Sequence, residues 1–195
     1  MTNSDHHVIE SLKQINAICS PVRQEIMDAV IAKGECSITD IAVELGRPAD
    51  GLYYHIRALM KEQLLIAVGE NTNNPRQETL YSLSKKASLI EVKYTQTDAE
   101  KIKAINKMVK SMLKITQQDF ENGLINKDAV FEGHYRNLWA GRVKSRLNKR
   151  QIKKTNKLLN DLMTVFKQES DSSSEILYTM QWVLAPVEAK PKRRQ

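Results

Sequence analysis

The chain has 195 residues, a net charge of +7, and about two-fifths of its residues are apolar. This length allows a sizeable core in one or two domains. No apolar run approaches the roughly 20 residues that span a bilayer, and the N-terminus has neither the basic start nor the apolar core of a secretion signal. We therefore expect a cytoplasmic protein that makes no use of a membrane.

The charge is distributed unevenly between the two halves. Residues 1–85 hold 8 Lys and Arg against 11 Asp and Glu, a net charge of −3, whereas the remainder carries +10. A basic chain ordinarily indicates a polyanionic partner. Because the first part is acidic, we expect it to neutralise few phosphates unless the C-terminal half contributes.

Few residues suit metal binding or a disulfide framework. Cys19 and Cys36 each fall at an apolar position near a predicted helix end, where a buried thiol acts as a small hydrophobe; a redox pair is the alternative. His6 and His7 lie at a polar terminus, which is typical of disorder, with metal ligation as the alternative. We expect no metal and no cofactor.

Two apolar stripes predict the first two helices. The first stripe consists of Ile9, Leu12, Ile15 and Ile18. It either covers the helix-turn-helix that follows or packs against a second subunit. Ser20 and Pro21 mark a break. The next helix has apolar residues at helical spacing: Val22, Ile26, Ala29 and Val30.

A helix-turn-helix follows over residues 38–65. Ile38, Ile41, Ala42 and Leu45 have the spacing of a helix that packs on a core. Gly46 can end this helix in the left-handed conformation, and Pro48 has the fixed φ that suits the first turn of another. The sequence therefore predicts two helices joined by a very short turn.

The second of these helices has an apolar and a polar face. Leu52, Ile56 and Leu59 are predicted to be buried. The opposite face then carries Asp50, Tyr53, Tyr54, Arg57 and Lys61. A helix fits the DNA major groove, where base edges distinguish all four base pairs, so this stripe is a candidate reading surface. Ordinary half-buried tyrosines and a solvated arginine are the alternative.

A two-stranded hairpin is predicted after the second helix. Leu64, Ile66 and Val68 precede the polar run GENTNNPRQE, and Leu80, Tyr81 and Leu83 follow it. Arg76 is the one cation of the tip. Three roles are open for it: entry into the minor groove, contact with a phosphate, or simple solvation. Three helices and a hairpin in this order predict a winged helix-turn-helix.

The runs SPVRQEIMDAV, SITDIAVELG and LYYHIRALMKEQLL together resemble the ArsR family of bacterial winged-helix transcriptional regulators. The resemblance covers roughly the first 85 residues and places His55 on the recognition helix, which makes it a further candidate DNA-binding residue. Metal-sensing members carry Cys-Val-Cys-Asp where this chain has Ser37 to Asp40, so we expect no metal sensing there. Tyr53 and Tyr54 replace the frequent Ser-Arg pair, so base preference does not carry over. Gln63 stands where glycine usually ends the helix, which predicts a non-glycine residue at positive φ.

Beyond residue 85 the sequence predicts a lysine-rich helix. Thr97 and Glu100 have capping-box spacing. The predicted apolar face consists of Ile102, Ile105, Val109, Met112 and Leu113. Such a stripe beside lysines suits an oligomerisation helix, with a plain core helix as the alternative and DNA-backbone contact by the lysines as a third interpretation.

A second helix and two strands are predicted in the remainder. Asn148 and Gln151 have capping-box spacing, and the helix they begin has apolar residues at Ile152, Leu159, Leu162, Met163 and Phe166. Alternation over 131–139 and 176–184 predicts two strands. The aromatic residues there form a core or line a ligand pocket: Phe131, Tyr135, Trp139, Tyr178 and Trp182. The basic tail AKPKRRQ is predicted to be disordered and to touch phosphates without sequence preference.

The predicted fold class is α+β, mainly α with small β. Its winged helix-turn-helix DNA-binding domain spans 1–85, and its dimerisation or effector region spans 86–195. No phosphate loop, His-Glu-x-x-His pair or nucleophile motif is present, so we do not expect an enzyme.

The leading hypothesis is a homodimeric, sequence-specific regulator of transcription that binds double-stranded DNA at a pseudo-palindromic operator. Asp50, Tyr53, Tyr54 and Arg57 would face bases, and Lys61 and Arg76 would face the backbone. The alternatives are a winged-helix protein-interaction adaptor and a sensor of an unknown small-molecule effector.

Overall fold

A computed structural model describes residues 6–71, 78–84, 89–93, 98–166 and 176–187. The elements of the N-terminal part are β1 (His6–Ile9), α1 (Leu12–Ala17), α2 (Pro21–Lys33), β2 (Cys36–Ser37), α3 (Ile38–Leu45), a short 3-10 helix (Ala49–Gly51), α4 (Tyr53–Lys61), β3 (Leu65–Asn71), β4 (Glu78–Leu83) and β5 (Leu89–Val92). Two long helices follow, α5 (Ala99–Leu124) and α6 (Lys149–Phe166). The predicted α+β class is confirmed. None of the described helices is both long enough and apolar enough to cross a membrane.

The chain divides into two compact units, unit 1 over residues 1–118 and unit 2 over residues 119–195. Unit 1 therefore extends past the boundary that the sequence indicated at residue 85. The reason is that the first part of α5 contributes to the hydrophobic core of this unit through Ala104, Ile105 and Met108.

The core of unit 1 joins α1 to α4 with the sheet. Its fully buried large side chains come from each of these elements: Ile9, Ile15, Ile26, Met27, Val30, Cys36, Ile41, Leu52, Ile56, Leu59, Leu64 and Leu65. The predicted stripes on α2, α3 and α4 lie in or against this core, although Val22 and Leu45 are only partly buried. The first predicted stripe is interrupted, because Ile9 lies in β1 and the helix begins only at Leu12.

Two small sheets complete unit 1. β3 and β4 form the predicted antiparallel hairpin, with a bulge between Ala67 and Gly69, and β2 adds a third strand by pairing with β4. Leu64 and Leu65 are buried, but Ile66 and Val68 are exposed. β1 and β5 form a separate parallel pair that the sequence did not predict.

α5 buries a different face from the predicted one. The buried residues are Ala104, Ile105, Met108, Ser111 and Ile115, and of the predicted stripe only Ile105 is among them. Ile102 and Leu113 are exposed, whereas Val109 is partly buried and packs against the core. Asp98 caps the helix by accepting a hydrogen bond from the Lys101 backbone N–H at 3.0 Å. Thr97, the predicted cap, lies outside the described residues.

Unit 2 contains α6 but none of the predicted strands. The expected strands over 131–139 and 176–184 are wrong, because these stretches have no strand partner in the described part of the chain. Instead the Asn137 side chain accepts a hydrogen bond from the Val130 N–H at 2.7 Å and donates to the Asp128 carbonyl oxygen at 2.9 Å. It also donates to the Tyr178 hydroxyl oxygen at 3.1 Å. One amide thus holds a loop where alternation alone indicated a strand.

Candidate nucleic-acid interface

The turn between α3 and α4 aims the candidate reading helix. Gly46 has φ of 59° and ends α3 in the predicted left-handed conformation. The Arg47 N–H then bonds to the Ala42 carbonyl at 3.0 Å, and the Gly46 N–H bonds to the Val43 carbonyl at 3.2 Å. These two bonds form a Schellman motif, which satisfies carbonyl groups that a helix end would otherwise leave unpaired.

The start of α3 is fixed by a capping box. The Ser37 hydroxyl accepts a hydrogen bond from the Asp40 N–H at 3.2 Å, and the Ser37 N–H donates to the Asp40 carboxylate at 2.8 Å. The Ser37 hydroxyl also donates to that carboxylate at 2.9 Å. Because these bonds favour the charged form, they lower the pKa of Asp40. A further bond from the Thr39 hydroxyl to Glu78, at 2.6 Å, joins α3 to the hairpin.

The end of α4 closes in the way the sequence predicted for Gln63. This residue has φ of 55° and is the only non-glycine residue at positive φ in the described part of the chain. The Leu64 N–H bonds to the Leu59 carbonyl at 3.0 Å and the Gln63 N–H to the Met60 carbonyl at 2.9 Å, a second Schellman motif. The Gln14 amide donates to the Glu62 carbonyl at 3.2 Å and so ties α1 to this end.

The predicted stripe on α4 is exposed. Tyr54 is 73% exposed and Tyr53 is 45% exposed, so neither is a core aromatic residue. Arg57 and Lys61 are exposed on the same helix, and Asp50 is exposed on the 3-10 helix that precedes it. These five side chains are therefore free to meet a partner of unit 1. Arg76 lies outside the described residues.

His55 differs from its neighbours because it is half-buried. Its Nδ1 atom is buried and has no hydrogen-bond partner among the described residues. Burial lowers the pKa of this imidazole, and the charges of Arg23 and Arg47 lower it further. The ring contacts Tyr54 edge to face, with 5.5 Å between ring centroids. His55 is therefore less accessible to a partner than Tyr53 and Tyr54 are.

A cationic groove adjoins the stripe. Four cations, one acidic residue (Glu62) and Tyr54 help to line an open groove of about 510 Å³ between α1, α2 and α4. The cations are Lys13, Arg23, Arg57 and Lys61. Within the described residues none of them forms an ion pair, whereas Arg47 is bound to Glu25 at 2.9 Å and Lys33 to Glu44 at 3.1 Å. Unpaired cations beside an exposed reading stripe suit an anionic partner such as a phosphate backbone.

Lys13 and Arg23 were not among the candidate site residues of the sequence. Arg23 lies in the run SPVRQEIMDAV on which the family resemblance partly rests, and this run was the available signal. No comparable signal marked Lys13, because its position beside α4 depends on how α1 packs. The Nε atom of Arg23 is buried without a hydrogen-bond partner among the described residues.

Both cysteines are buried, as the preferred interpretation predicted, and they form no disulfide bond. The Cys19 thiol donates to the Ile15 carbonyl at 3.2 Å and to the Ala104 carbonyl at 3.3 Å. Burial raises the pKa of Cys19, and burial with nearby Asp40 raises the pKa of Cys36 to about 11. The described residues contain no cluster of three or more His, Cys, Asp or Glu side chains arranged to hold a metal ion.

No protein-family model and no curated protein matches the chain. Among solved structures the chain is similar to BpsR of Bordetella bronchiseptica, whose DNA binding is regulated by 6-hydroxynicotinic acid. The match has a TM-score of 0.31 and 16% identity, and it covers 72% of this chain and 76% of BpsR. It is also similar to a mutant of Lactococcus lactis ZitR, with a TM-score of 0.29 and 14% identity over 75% of this chain and 74% of ZitR. The apo form of that mutant gives a TM-score of 0.27 and 15% identity, over 74% and 82% of the two chains. Likenesses at this level carry no argument about function.

Proposed function

We propose that this chain is a sequence-specific DNA-binding regulator of transcription that acts as a dimer on a pseudo-palindromic operator. The observation that carries the proposal is the exposed stripe of Tyr53, Tyr54, Arg57 and Lys61 on α4, the second helix of a helix-turn-helix. A helix held in this way by a core and a tight turn can enter the major groove, with its exposed face on the base edges.

Each site residue has a proposed role. Asp50, Tyr53, Tyr54 and Arg57 face bases, and Lys61 faces the phosphate backbone. His55 positions Tyr54, since its ring is half-buried against that tyrosine. Arg76 remains a proposed backbone contact from the hairpin tip. Lys13 and Arg23 join the set as phosphate contacts, because they line the groove beside Arg57 and Lys61.

The test begins with selection of bound fragments from a random DNA library. The variant Tyr54→Ala with Arg57→Ala is expected to lose its preference for the selected fragment over random duplex, because it removes side chains proposed to face bases. Each lost base contact should cost about 1–3 kcal/mol of discrimination. The matched control is Tyr135→Ala with Lys107→Ala, an exposed aromatic and an exposed cation elsewhere. An unchanged preference in the Tyr54 and Arg57 variant would contradict the proposal.

A dimer is supported by the apolar side chains that the described chain leaves uncovered. Ile102 and Leu113 are exposed on α5, and α6 has no buried residue although one face is apolar. Exposed apolar surface on this scale is typical of interaction sites. In a two-fold dimer the two copies of α4 would lie about 34 Å apart and enter successive major grooves.

Self-association can be measured by sedimentation. The variant Leu159→Asp with Leu162→Asp places charges on the apolar face of α6 and is expected to weaken the dimer at least about tenfold, since an unpaired charge in an apolar interface is costly. The control, Asn160→Asp with Thr164→Asp, adds the same charges to the polar face. If both variants associate as the parent chain does, α6 is not part of the interface.

A protein-interaction adaptor is the second candidate, and the exposed apolar side chains Val43, Ile66 and Val68 of unit 1 favour it. Binding to random duplex separates the two: a regulator shows a log-log salt slope of several units, and an adaptor shows almost none. Membership of the ArsR family and a small-molecule effector stay predictions from the sequence.

A further inference from the structure

A dense basic segment lies in unit 2, outside the helix-turn-helix. Between Arg142 and Lys157 the chain has eight Lys and Arg and no Asp or Glu. These cations are Arg142, Lys144, Arg146, Lys149, Arg150, Lys153, Lys154 and Lys157. All eight are exposed, and none forms an ion pair within the described residues.

The helical part of the segment separates its charge from its apolar side chains. At 3.6 residues per turn, Lys149, Arg150, Lys153, Lys154 and Lys157 fall on one side of α6. The apolar residues Ile152, Leu159, Leu162, Met163 and Phe166 fall on the opposite side. The start of the helix is fixed by the predicted capping box, in which the Asn148 N–H donates to Gln151 at 2.9 Å and the Gln151 N–H donates to Asn148 at 3.0 Å.

Unit 1 is poorly supplied with charge for contact with a duplex. It holds 15 Lys and Arg against 14 Asp and Glu, a net charge of +1, whereas unit 2 holds 15 against 9, a net charge of +6. Three cations of unit 1 are already held by carboxylates: Lys33, Arg47 and Lys93. Since DNA affinity depends heavily on phosphate neutralisation, the reading helix needs cations from elsewhere in the chain.

We infer that residues 142–157 form a second nucleic-acid contact, which binds the phosphate backbone of duplex DNA without reading its sequence. The inference rests on the proposed function, because it supplies the charge that the reading unit lacks. An anionic membrane surface is the competing partner, since a basic face opposite an apolar face is also typical of a helix in a bilayer interface. We favour DNA because the proposed dimer would cover the apolar face of α6, which a bilayer would have to bury.

The experiment compares two fourfold variants of the full chain. In the first, Lys149, Lys153, Lys154 and Lys157 on α6 are changed to Gln. In the second, the matched control, Lys103, Lys107, Lys110 and Lys114 on α5 are changed to Gln; these lysines are also exposed. Gln is a good helix former, so both helices should persist, and circular dichroism checks this. Binding to a random-sequence duplex of about 30 base pairs is measured between about 50 and 200 mM salt.

The α6 variant is expected to lower the salt slope by up to about 3.6, four contacts at about 0.9 each. The α5 variant should leave the slope within about one unit of the parent chain. Equal losses in both variants would show an effect of net charge alone, and an unchanged slope in the α6 variant would show no contact; either overturns the inference. So does loss of binding to phosphatidylserine vesicles with an unchanged DNA slope, which assigns the segment to a membrane surface.

A second measurement on the same variant distinguishes failure of this inference from failure of the proposed function. Preference for the selected fragment over random duplex is measured on the same α6 variant. If that preference persists while the slope falls, both proposals stand. If the preference persists and the slope is unchanged, the proposed function is supported and the second contact by residues 142–157 is contradicted. If the slope falls but the parent chain selects no sequence, the backbone contact is supported and the sequence-specific regulator is contradicted.

Discussion

The two units of this chain differ in how they are held together. Unit 1 has a continuous core to which α1 to α4, the hairpin and α5 all contribute. In unit 2 no described residue is buried, and the five aromatic residues that the sequence assigned to a core or a pocket are exposed, including Tyr135 at 88% and Trp139 at 68%. The expectation that these aromatics form a core is therefore wrong for the single chain. The contrast teaches that unit 1 is stabilised by its own core, whereas the described part of unit 2 leaves its apolar side chains exposed.

The largest expected effect comes from removing matched leucines in the two units. Leu59→Ala in unit 1 should cost about 2–5 kcal/mol of unfolding free energy, because Leu59 is fully buried and a cavity would remain. Leu158→Ala in unit 2 should cost less than about 0.5 kcal/mol, since Leu158 is 57% exposed. Urea denaturation followed by circular dichroism measures both, and similar losses would remove the distinction between the units.

Helix caps provide a second matched pair. Ser37→Ala removes the capping box of α3 and should lower the unfolding free energy of unit 1 by about 1–2 kcal/mol. Asn148→Ala removes the corresponding box of α6 and should reduce only the helicity of that helix. The measurement is chemical denaturation together with far-ultraviolet circular dichroism. If the Asn148 variant destabilises the core of unit 1 equally, the two units unfold as one.

A smaller gain in stability is expected at Gln63. This residue has φ of 55°, a conformation that glycine adopts without strain. Gln63→Gly should therefore raise the unfolding free energy by up to about 1 kcal/mol, as relief of left-handed strain. Asn106→Gly, at an exposed position inside α5, is the control and should lower stability. Thermal denaturation distinguishes the two, and a loss of stability in the Gln63 variant would show that its backbone is unstrained.

The smallest effect is a pH dependence confined to unit 1. Burial and the nearby arginines lower the pKa of His55 below its ordinary value of 6.5. The unfolded chain therefore binds a proton more readily, and stability is retained above about pH 6.5 and lost as the pH falls below it. His55→Gln should reduce this loss, whereas the control His134→Gln should retain it. Denaturation midpoints between about pH 7 and 5 test the expectation, and identical profiles in the parent and His55 variant would contradict it.

Local signals in the sequence predicted unit 1 well. The Gly46 turn, the Gln63 helix end and the buried stripe of Leu52, Ile56 and Leu59 were all predicted and confirmed. Each depends on residues within a few positions of one another, where backbone conformation and helical periodicity leave few alternatives. The pairing of β1 with β5 depends on residues far apart in the sequence, and short apolar runs do not specify such a pairing.

The same reasoning explains the failures in the second half. Alternation over 131–139 was a correct observation, but a strand also requires a partner for its backbone groups, and Asn137 bonds this segment into a loop instead. The apolar residues of α5 have two candidate faces, and the periodicity alone selected one of which only Ile105 is buried. The core that α5 meets is formed by elements earlier in the chain.

The amino-acid sequence by itself determined the helix boundaries around Gly46, the two faces of α4 and the capping box of α6, because each is set by local backbone preferences. Only the tertiary structure decided which face of α5 is buried, that Lys13 and Arg23 lie beside the exposed stripe of α4, and that no described residue of unit 2 is buried. These depend on the packing of distant segments, whose combined burial and hydrogen bonding outweigh the weak preference of any single stretch.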